Sequence, residues 1–202
     1  GYLPAAVLNY LLLLGWAPEG EQEIFSLEEM VKIWDPARVS KSPAIFDPLK
    51  LRAINAAYIR ALPAEEFRRL ADPFIDSAVH VDIDRDLLCQ NLQPRCEVLE
   101  DIPPQLDFFD AVLPFDTELY RNKKQKTTPE TAKEALAALL PLLEAQTDWS
   151  GDAIFEACRD KAAALGVKNG WLLYPLGIAL SGKSRTPGGG TDLAAMLGRG
   201  ER

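Results

Sequence analysis

Apolar residues recur along this chain at spacings of three and four, the period of an α-helix, whereas strand-like alternation is nowhere convincing. The first such segment opens at Pro4 and ends at Gly15. Its apolar stripe consists of Leu3, Val7, Leu8, Leu11 and Leu12. This pattern predicts an amphipathic helix at the start of the chain.

Three further helices are predicted in the first third of the chain. Ser26 and Glu29 have the spacing of a capping box, and Asp47 and Pro48 form an N-cap and first-turn pair. Pro63 is placed to start the next helix. The three predicted helices span about residues 26–34, 47–61 and 63–74.

The remaining two thirds of the chain also read as helical. Asp84 caps a segment that Pro94 should break, and Thr128 and Pro129 open a helix rich in Ala and Leu. Gly166 stops the helix that follows. These helices span about residues 84–92, 128–143, 152–165, 171–180 and 191–197. The sequence therefore predicts an all-α protein of two or three packed units.

Length and charge limit the possible functions. A chain of 202 residues with 48% hydrophobic content can form one or two compact cores. The net charge of −8 argues against a protein that binds nucleic acid regardless of sequence, because such binding depends on neutralising phosphates. It leaves room for a specific binder that confines its positive charge to one face.

The cysteines and the histidine indicate no chemistry of their own. Cys89, Cys96 and Cys158 form no C-x-x-C pair, which fits a reduced cytoplasmic protein without a zinc site or disulfide framework. His80 is the one histidine, and we expect it to be exposed or satisfied by a partner. The apolar run at residues 11–14 is too short to span a bilayer, so no membrane partner is expected.

Three blocks of sequence resemble one family. They are GYLPAAVLNYLLLLGW at residues 1–16, RVSKSPAIFDPLKLRAINAAYIR at 38–60 and PLGIALSGKSRTPG at 175–188. In this order they resemble the C-terminal region of bacterial glutamyl-tRNA synthetase. The resemblance implies a stem-contact domain at residues 1–75 and two anticodon-binding subdomains at 76–146 and 147–202.

The same resemblance implies that the chain is inactive alone. The nucleotide-binding signatures of the family, HIGH and the KMSK-type loop, are expected before Gly1. The run RVSKS superficially resembles the KMSK loop, but it follows the GYLP block instead of preceding it. An independent enzyme that uses RVSKS is therefore the weakest of the functional alternatives.

The middle block supplies most of the predicted tRNA contacts. The family pattern KLRW-x-N-x-x-YIR is matched along one helix, with Ala53 in place of the usual tryptophan. Residues of this helix could present a polar strip to the RNA backbone, where phosphate contacts fix register without reading bases. The alternative is a solvated helix face with Tyr58 partly in the core. The candidate residues are Lys41, Lys50, Arg52, Asn55, Tyr58 and Arg60.

Two other segments supply candidates. Arg95, in QPRCEVL, resembles the family arginine that reads the third anticodon base, and its guanidinium suits that task. The alternative is a surface ion pair with Glu97 or Glu100. In the last block Lys183, Arg185 and Thr186 are candidate contacts or merely part of an exposed turn, while Gly177 replaces the arginine of the family's PLR motif.

The densest basic cluster is the run YRNKKQK at residues 120–126. Tyr120 could stack on a base while the lysines attract phosphate, but a solvated loop between helices is the simpler interpretation.

The resemblance thus implies a module that binds tRNA-Glu for a catalytic domain of the same polypeptide, with no DNA partner. ATP and Mg²⁺ would serve that catalytic domain, and no cofactor is expected in this chain. A helical protein-interaction domain whose tRNA contacts have decayed is the alternative.

Overall fold

The computed structural model describes residues 1–40 and 44–198. The described chain is built from α-helices and short 3₁₀ turns, with two isolated β-bridges and no sheet within the described ranges. The all-α prediction is therefore confirmed. The helices are α1 Pro4–Gly15, α2 Leu27–Ile33, α3 Pro48–Ala61, α4 Ala64–Asp76, α5 Arg85–Leu92, α6 Pro129–Ala145, α7 Gly151–Leu165, α8 Asn169–Ser181 and α9 Gly190–Leu197.

Most of the predicted helix ends are where the local signals put them. The Ser26 hydroxyl accepts from the backbone N–H of Glu29 at 3.2 Å, and the Glu29 carboxylate accepts from Ser26 N–H at 2.7 Å. Asp47 caps α3, and α7 ends at Gly166 in the left-handed conformation. As expected, Pro94 lies beyond the end of α5, in a 3₁₀ turn over Gln93–Arg95.

The chain forms two compact units. Unit 1 comprises residues 1–74 and 93–102, and unit 2 comprises residues 75–92 and 103–202. The three-domain division expected from the sequence stays a prediction. Within the described residues, no helix has both the length and the apolar content needed to cross a bilayer.

Unit 1 packs α1 against α3, and the face of α1 that it buries differs from the predicted stripe. Ala6, Asn9 and Tyr10 are buried, whereas Leu8 and Leu11 are exposed. Asn9 is tolerated in the core because its amide donates to Glu23 O at 2.7 Å and accepts from Phe25 N–H at 2.8 Å. The exposed leucines instead line an open apolar groove of about 440 Å³ between α1 and α2, together with Leu27, Val31 and Trp34.

Unit 2 is centred on α8, which packs against α6, α7 and α9. Its core cluster consists of Ala135, Leu139, Ile154, Cys158, Ala162, Leu172, Leu176 and Ala194. On α6 the small residues Ala132 and Ala135 are buried beside Leu139, while Leu140 is exposed. A separate apolar contact stacks Phe108 on Phe109 with ring centroids 4.4 Å apart.

Candidate nucleic-acid interface

The side chain of Arg52 on α3 is held within unit 1. Its Nε donates to Glu97 Oε2 at 3.0 Å, and its terminal nitrogen pairs with Asp101. The hydrogen bonds that the guanidinium donates to these two carboxylates raise its pKa. Arg52 thus ties α3 to the segment at residues 93–102, with about a third of its side chain exposed.

Asn55 and Tyr58 do not form the exposed polar strip expected on α3. Asn55 is fully buried, where its carboxamide accepts from Leu3 N–H at 2.8 Å and donates to Glu97 O at 2.5 Å. The Tyr58 hydroxyl donates to Asn9 Oδ1 at 2.9 Å and contacts Phe25 O, and burial raises its pKa. The expected strip is therefore corrected at both positions, because their polar atoms bond inside the protein.

The other two α3 candidates face solvent to different degrees. Lys50 is half-buried and pairs with Glu23 at 2.5 Å. Arg60, at the last turn of α3, is exposed. Lys41 lies outside the described residues. Their roles as phosphate contacts stay predictions.

Arg95 is exposed on the Gln93–Arg95 turn, which packs against α3 in unit 1. The turn is fixed by Gln93, whose Nε2 donates to Ile59 O at 3.0 Å and to Leu62 O at 2.8 Å. Sequence reasoning missed this capping role of Gln93 at the end of α3. Of the acids proposed as partners for Arg95, Glu97 pairs with Arg52 and Glu100 pairs with the terminal amine of Gly1.

Unit 2 contains an open cleft of about 530 Å³ beside α8 and α9, which we call the α8–α9 cleft. Its lining includes Gln125, Tyr174, Gly177, Thr186, Gly190 and Asp192. Two glycines allow neighbouring segments to pack closely against α8. A Cβ on Gly190 would lie 2.7 Å from Leu173 O, and a Cβ on Gly170 would overlap the Gln125 carboxamide. The cleft was not predicted from the sequence, although the glycines in and beside the last block could have indicated it.

The three candidates of the last block lie in different settings around this cleft. Lys183 pairs with Asp107 and donates to Pro104 O at 2.8 Å, so its ammonium is held inside unit 2. Thr186 donates its hydroxyl to Gly188 O at 2.6 Å, and Arg185 is exposed. Gly177 lines the cleft where the family resemblance puts an arginine.

Cys96, Cys158 and His80 occupy different settings: both cysteines are buried, and the histidine is exposed. Burial raises the pKa of Cys96 to about 12 and that of Cys158 to about 11, so both remain thiols at neutral pH. His80 is exposed and paired with Asp110 at 2.5 Å, as expected for a satisfied surface residue, and this hydrogen bond lowers the pKa of the Asp110 carboxyl. Across residues 1–40 and 44–198 no three His, Cys, Asp or Glu side chains are grouped to hold a metal ion.

Two protein-family models match this chain. Residues 48–202 match the family described as "Anticodon binding domain". Residues 1–53 match "tRNA synthetases class I (E and Q), catalytic domain". The two matches overlap within α3, so both include parts of unit 1.

Curated relatives and solved structures cover nearly the whole chain. A glutamate–tRNA ligase of Clostridium botulinum (strain Hall) is 44% identical over 201 residues, and one of Clostridium acetobutylicum is 45% identical over 202 residues. Both matches cover 100% of this chain, which spans only 41% and 42% of the relatives' lengths.

Two crystal structures have the same fold. A glutamate–tRNA ligase from Elizabethkingia meningosepticum, in complex with its amino acid, is 28% identical with a TM-score of 0.82, covering 98% of this chain and 39% of that one. A glutamate–tRNA synthetase from Elizabethkingia anophelis is 26% identical with a TM-score of 0.79, covering 98% of this chain and 38% of that one. The chain belongs to the anticodon-binding domain family of the glutamyl-tRNA synthetases.

Proposed function

We propose that this chain recognises tRNA-Glu for a glutamyl-tRNA synthetase and that unit 2 holds the anticodon end in the α8–α9 cleft. The cleft is the observation that carries the proposal, because it lies inside the segment that matches the anticodon-binding family. Its lining combines glycines and apolar side chains such as Leu173 with the side chains of Tyr174 and Thr186. Such a mixture of apolar surface and a few polar groups suits an unpaired base, which is recognised by stacking and by hydrogen bonds to its edges.

Unit 1 contributes the exposed arginines to this proposal. Arg60 and Arg95 lie on the α3 side of unit 1 with their side chains exposed. Guanidinium groups bind phosphates in a bidentate manner and also stack on bases. Arg52 acts differently, because its two carboxylate partners already occupy it, and it serves to position α3.

The remainder of the synthetase is the second proposed partner. The apolar groove between α1 and α2 lies within residues 1–53, which match the class I catalytic domain. Its lining is unusually exposed, with Val31 72% and Leu11 54% accessible. Exposed apolar patches of this kind mark interaction surfaces. We infer that the catalytic part of the longer relatives covers the groove.

Copurification tests this partner. The chain would be co-produced with the part of the Clostridium botulinum ligase that it does not match. Val31→Glu should abolish copurification, whereas Leu140→Glu, on the exposed side of α6, should leave it intact. Equal recovery of both variants would remove the groove from the proposal.

ATP and Mg²⁺ belong to the catalytic part in this proposal, and tRNA binding by the chain itself uses no cofactor. A cytoplasmic location and the absence of DNA and membrane partners remain parts of the same proposal.

Binding of tRNA-Glu transcripts to the chain tests the main proposal. Affinity would be measured for the natural anticodon and for transcripts with altered anticodons. Arg185→Ala, at the exposed loop beside the cleft, should weaken binding about tenfold, which corresponds to about 1.4 kcal/mol. Arg159→Ala, on the exposed face of α7 in the same unit, is the matched control and should change binding little. No affinity for any tRNA would reject the proposal in favour of an interaction domain with decayed contacts.

A further inference from the structure

The loop at residues 120–127, which we call the lysine loop, lies next to the α8–α9 cleft in unit 2. The Gln125 side chain lines the cleft and packs over Gly170 at the start of α8. The Tyr174 hydroxyl, also in the cleft lining, donates to Leu119 O at 2.9 Å, immediately before the loop. Two contacts from α8 thus fix the position of the loop relative to the cleft.

The lysine loop has a defined backbone conformation. Asn122 and Thr127 form a β-bridge, with hydrogen bonds of 3.0 and 3.1 Å that close the loop. The Asn122 carboxamide accepts from Lys124 N–H at 3.0 Å and from Gln125 N–H at 3.1 Å. Lys126 adopts a positive φ of 57°, which closes the turn. A ligand that bound here would therefore spend little free energy on ordering the backbone.

The three lysines of this loop form no ion pair within the described residues. Lys123, Lys124 and Lys126 are exposed, and none of them forms an ion pair with a carboxylate in residues 1–40 or 44–198. Two other basic residues of unit 2 are differently placed: Lys183 pairs with Asp107, and Arg121 pairs with Glu118. In a chain of net charge −8, three unpaired lysines within four residues create a local positive field.

Tyr120 does not supply the stacking surface that its place in the run suggested. Its ring is half-buried and packs against Phe115 with centroids 5.9 Å apart, and burial raises the pKa of its hydroxyl. The loop therefore offers ammonium groups and no aromatic face, which suits phosphates and not bases.

We propose that the lysine loop binds the backbone phosphates of the RNA strand whose unpaired base enters the α8–α9 cleft. The inference rests on the proposed function and adds to it a set of electrostatic contacts that read no sequence. The cleft would select the base, and Lys123, Lys124 and Lys126 would hold the strand on which that base lies. An acidic protein partner is the competing occupant.

Salt-dependent binding of a hairpin RNA that carries the anticodon stem and loop of tRNA-Glu tests this inference. The variant is Lys123→Gln with Lys124→Gln, and the control is Lys133→Gln with Lys161→Gln on α6 and α7 of the same unit. Both doubles remove the same charge. Each single-strand phosphate that the protein neutralises contributes about 0.7 to the slope of log affinity against log salt, so the loop double should lower that slope by about 1.4.

Each outcome has a definite meaning. A reduced slope for the loop double and an unchanged slope for the control would support the inference, provided that the loop double loses affinity by the same factor for a hairpin with the natural anticodon and for one with an altered anticodon. An unchanged slope, or an equal reduction in both doubles, would overturn the loop contact while leaving the proposed function standing. Failure of the unaltered chain to bind the hairpin or tRNA would reject both proposals.

Discussion

Asn55 shows how a residue of the family pattern can act within the fold. Its carboxamide accepts from the N–H of Leu3 in a buried bond and donates to the carbonyl of Glu97 in a partly buried one. Asn55→Ala would leave a buried donor and a partly buried acceptor without partners. We expect a loss of about 3 kcal/mol in the free energy of unfolding, measured by urea denaturation.

The control for this change is Arg60→Ala on the same helix, where the side chain is exposed. It should alter the free energy of unfolding by less than about 0.5 kcal/mol. It should also reduce the salt slope of tRNA binding by about 0.9 if Arg60 contacts a duplex phosphate. A stable Asn55→Ala protein without tRNA binding would restore Asn55 as a direct contact.

A substitution of Arg95 distinguishes a contact that reads a base from one that binds a phosphate. It is exposed on a turn that Gln93 fixes against α3, so its guanidinium extends from a backbone of fixed position. We expect Arg95→Gln to reduce discrimination at the third anticodon position by about 1 to 3 kcal/mol, by analogy with bidentate base readout in DNA. Binding to transcripts with an altered third position, compared with those altered elsewhere, measures this directly. Equal losses for every transcript would identify a phosphate contact.

At the scale of helices, the local signals predicted the ends better than the faces. Pro4 and Gly15 bound α1, and Ser26 caps α2, because capping depends on a few neighbouring residues. The buried face of α1 depends on its packing against α3 and on the polar bonds of Asn9, which no local pattern contains. The cleft has the same origin, since it depends on the packing of α8 against α9 and on Gln125 and Phe155, which come from other parts of the chain.

The crossing of α8 and α9 yields a paired prediction from two glycines. A Cβ on Gly190 would lie 2.7 Å from Leu173 O and 2.9 Å from Gly177 N, so Gly190→Ala must push α9 away from α8. We expect it to cost about 2 kcal/mol. A Cβ on Gly177 would lie 3.6 Å from Gly190 Cα, an ordinary contact. Gly177→Ala should therefore stabilise α8 by about 0.5 to 1 kcal/mol. Thermal unfolding of both variants measures these two changes in stability. A Gly190→Ala protein as stable as the unaltered chain would contradict the close approach of α9 to α8.

At the scale of the whole molecule, each compact unit contains a buried thiol that can report on it. Cys96 belongs to unit 1 and Cys158 to unit 2, and both are almost fully buried. Neither should react with a thiol reagent at neutral pH until its own unit opens. Comparing the labelling rates of the two cysteines in urea therefore shows whether the units unfold together. Coincident labelling would indicate one cooperative transition, and separate midpoints would indicate two.

The same thiols make stability fall in alkaline solution. Burial raises the pKa of Cys158 from 9.0 to about 11, so between these values the unfolded chain has lost the thiol proton while the native chain keeps it. The native state then binds more protons, and the free energy of unfolding decreases as pH rises, by about 1.4 kcal/mol per pH unit for one such group. Tyr58 and Tyr120, whose pKa values burial also raises, add a dependence of the same sign. Cys158→Ala removes the contribution of this thiol and leaves those of Cys96 and the tyrosines, so urea denaturation at pH 8 and at about pH 10.5 should show a smaller decrease for this variant than for the unaltered chain. Identical decreases would mean that the native thiol ionises as readily as the unfolded one, and that the core of unit 2 is open to water around α7.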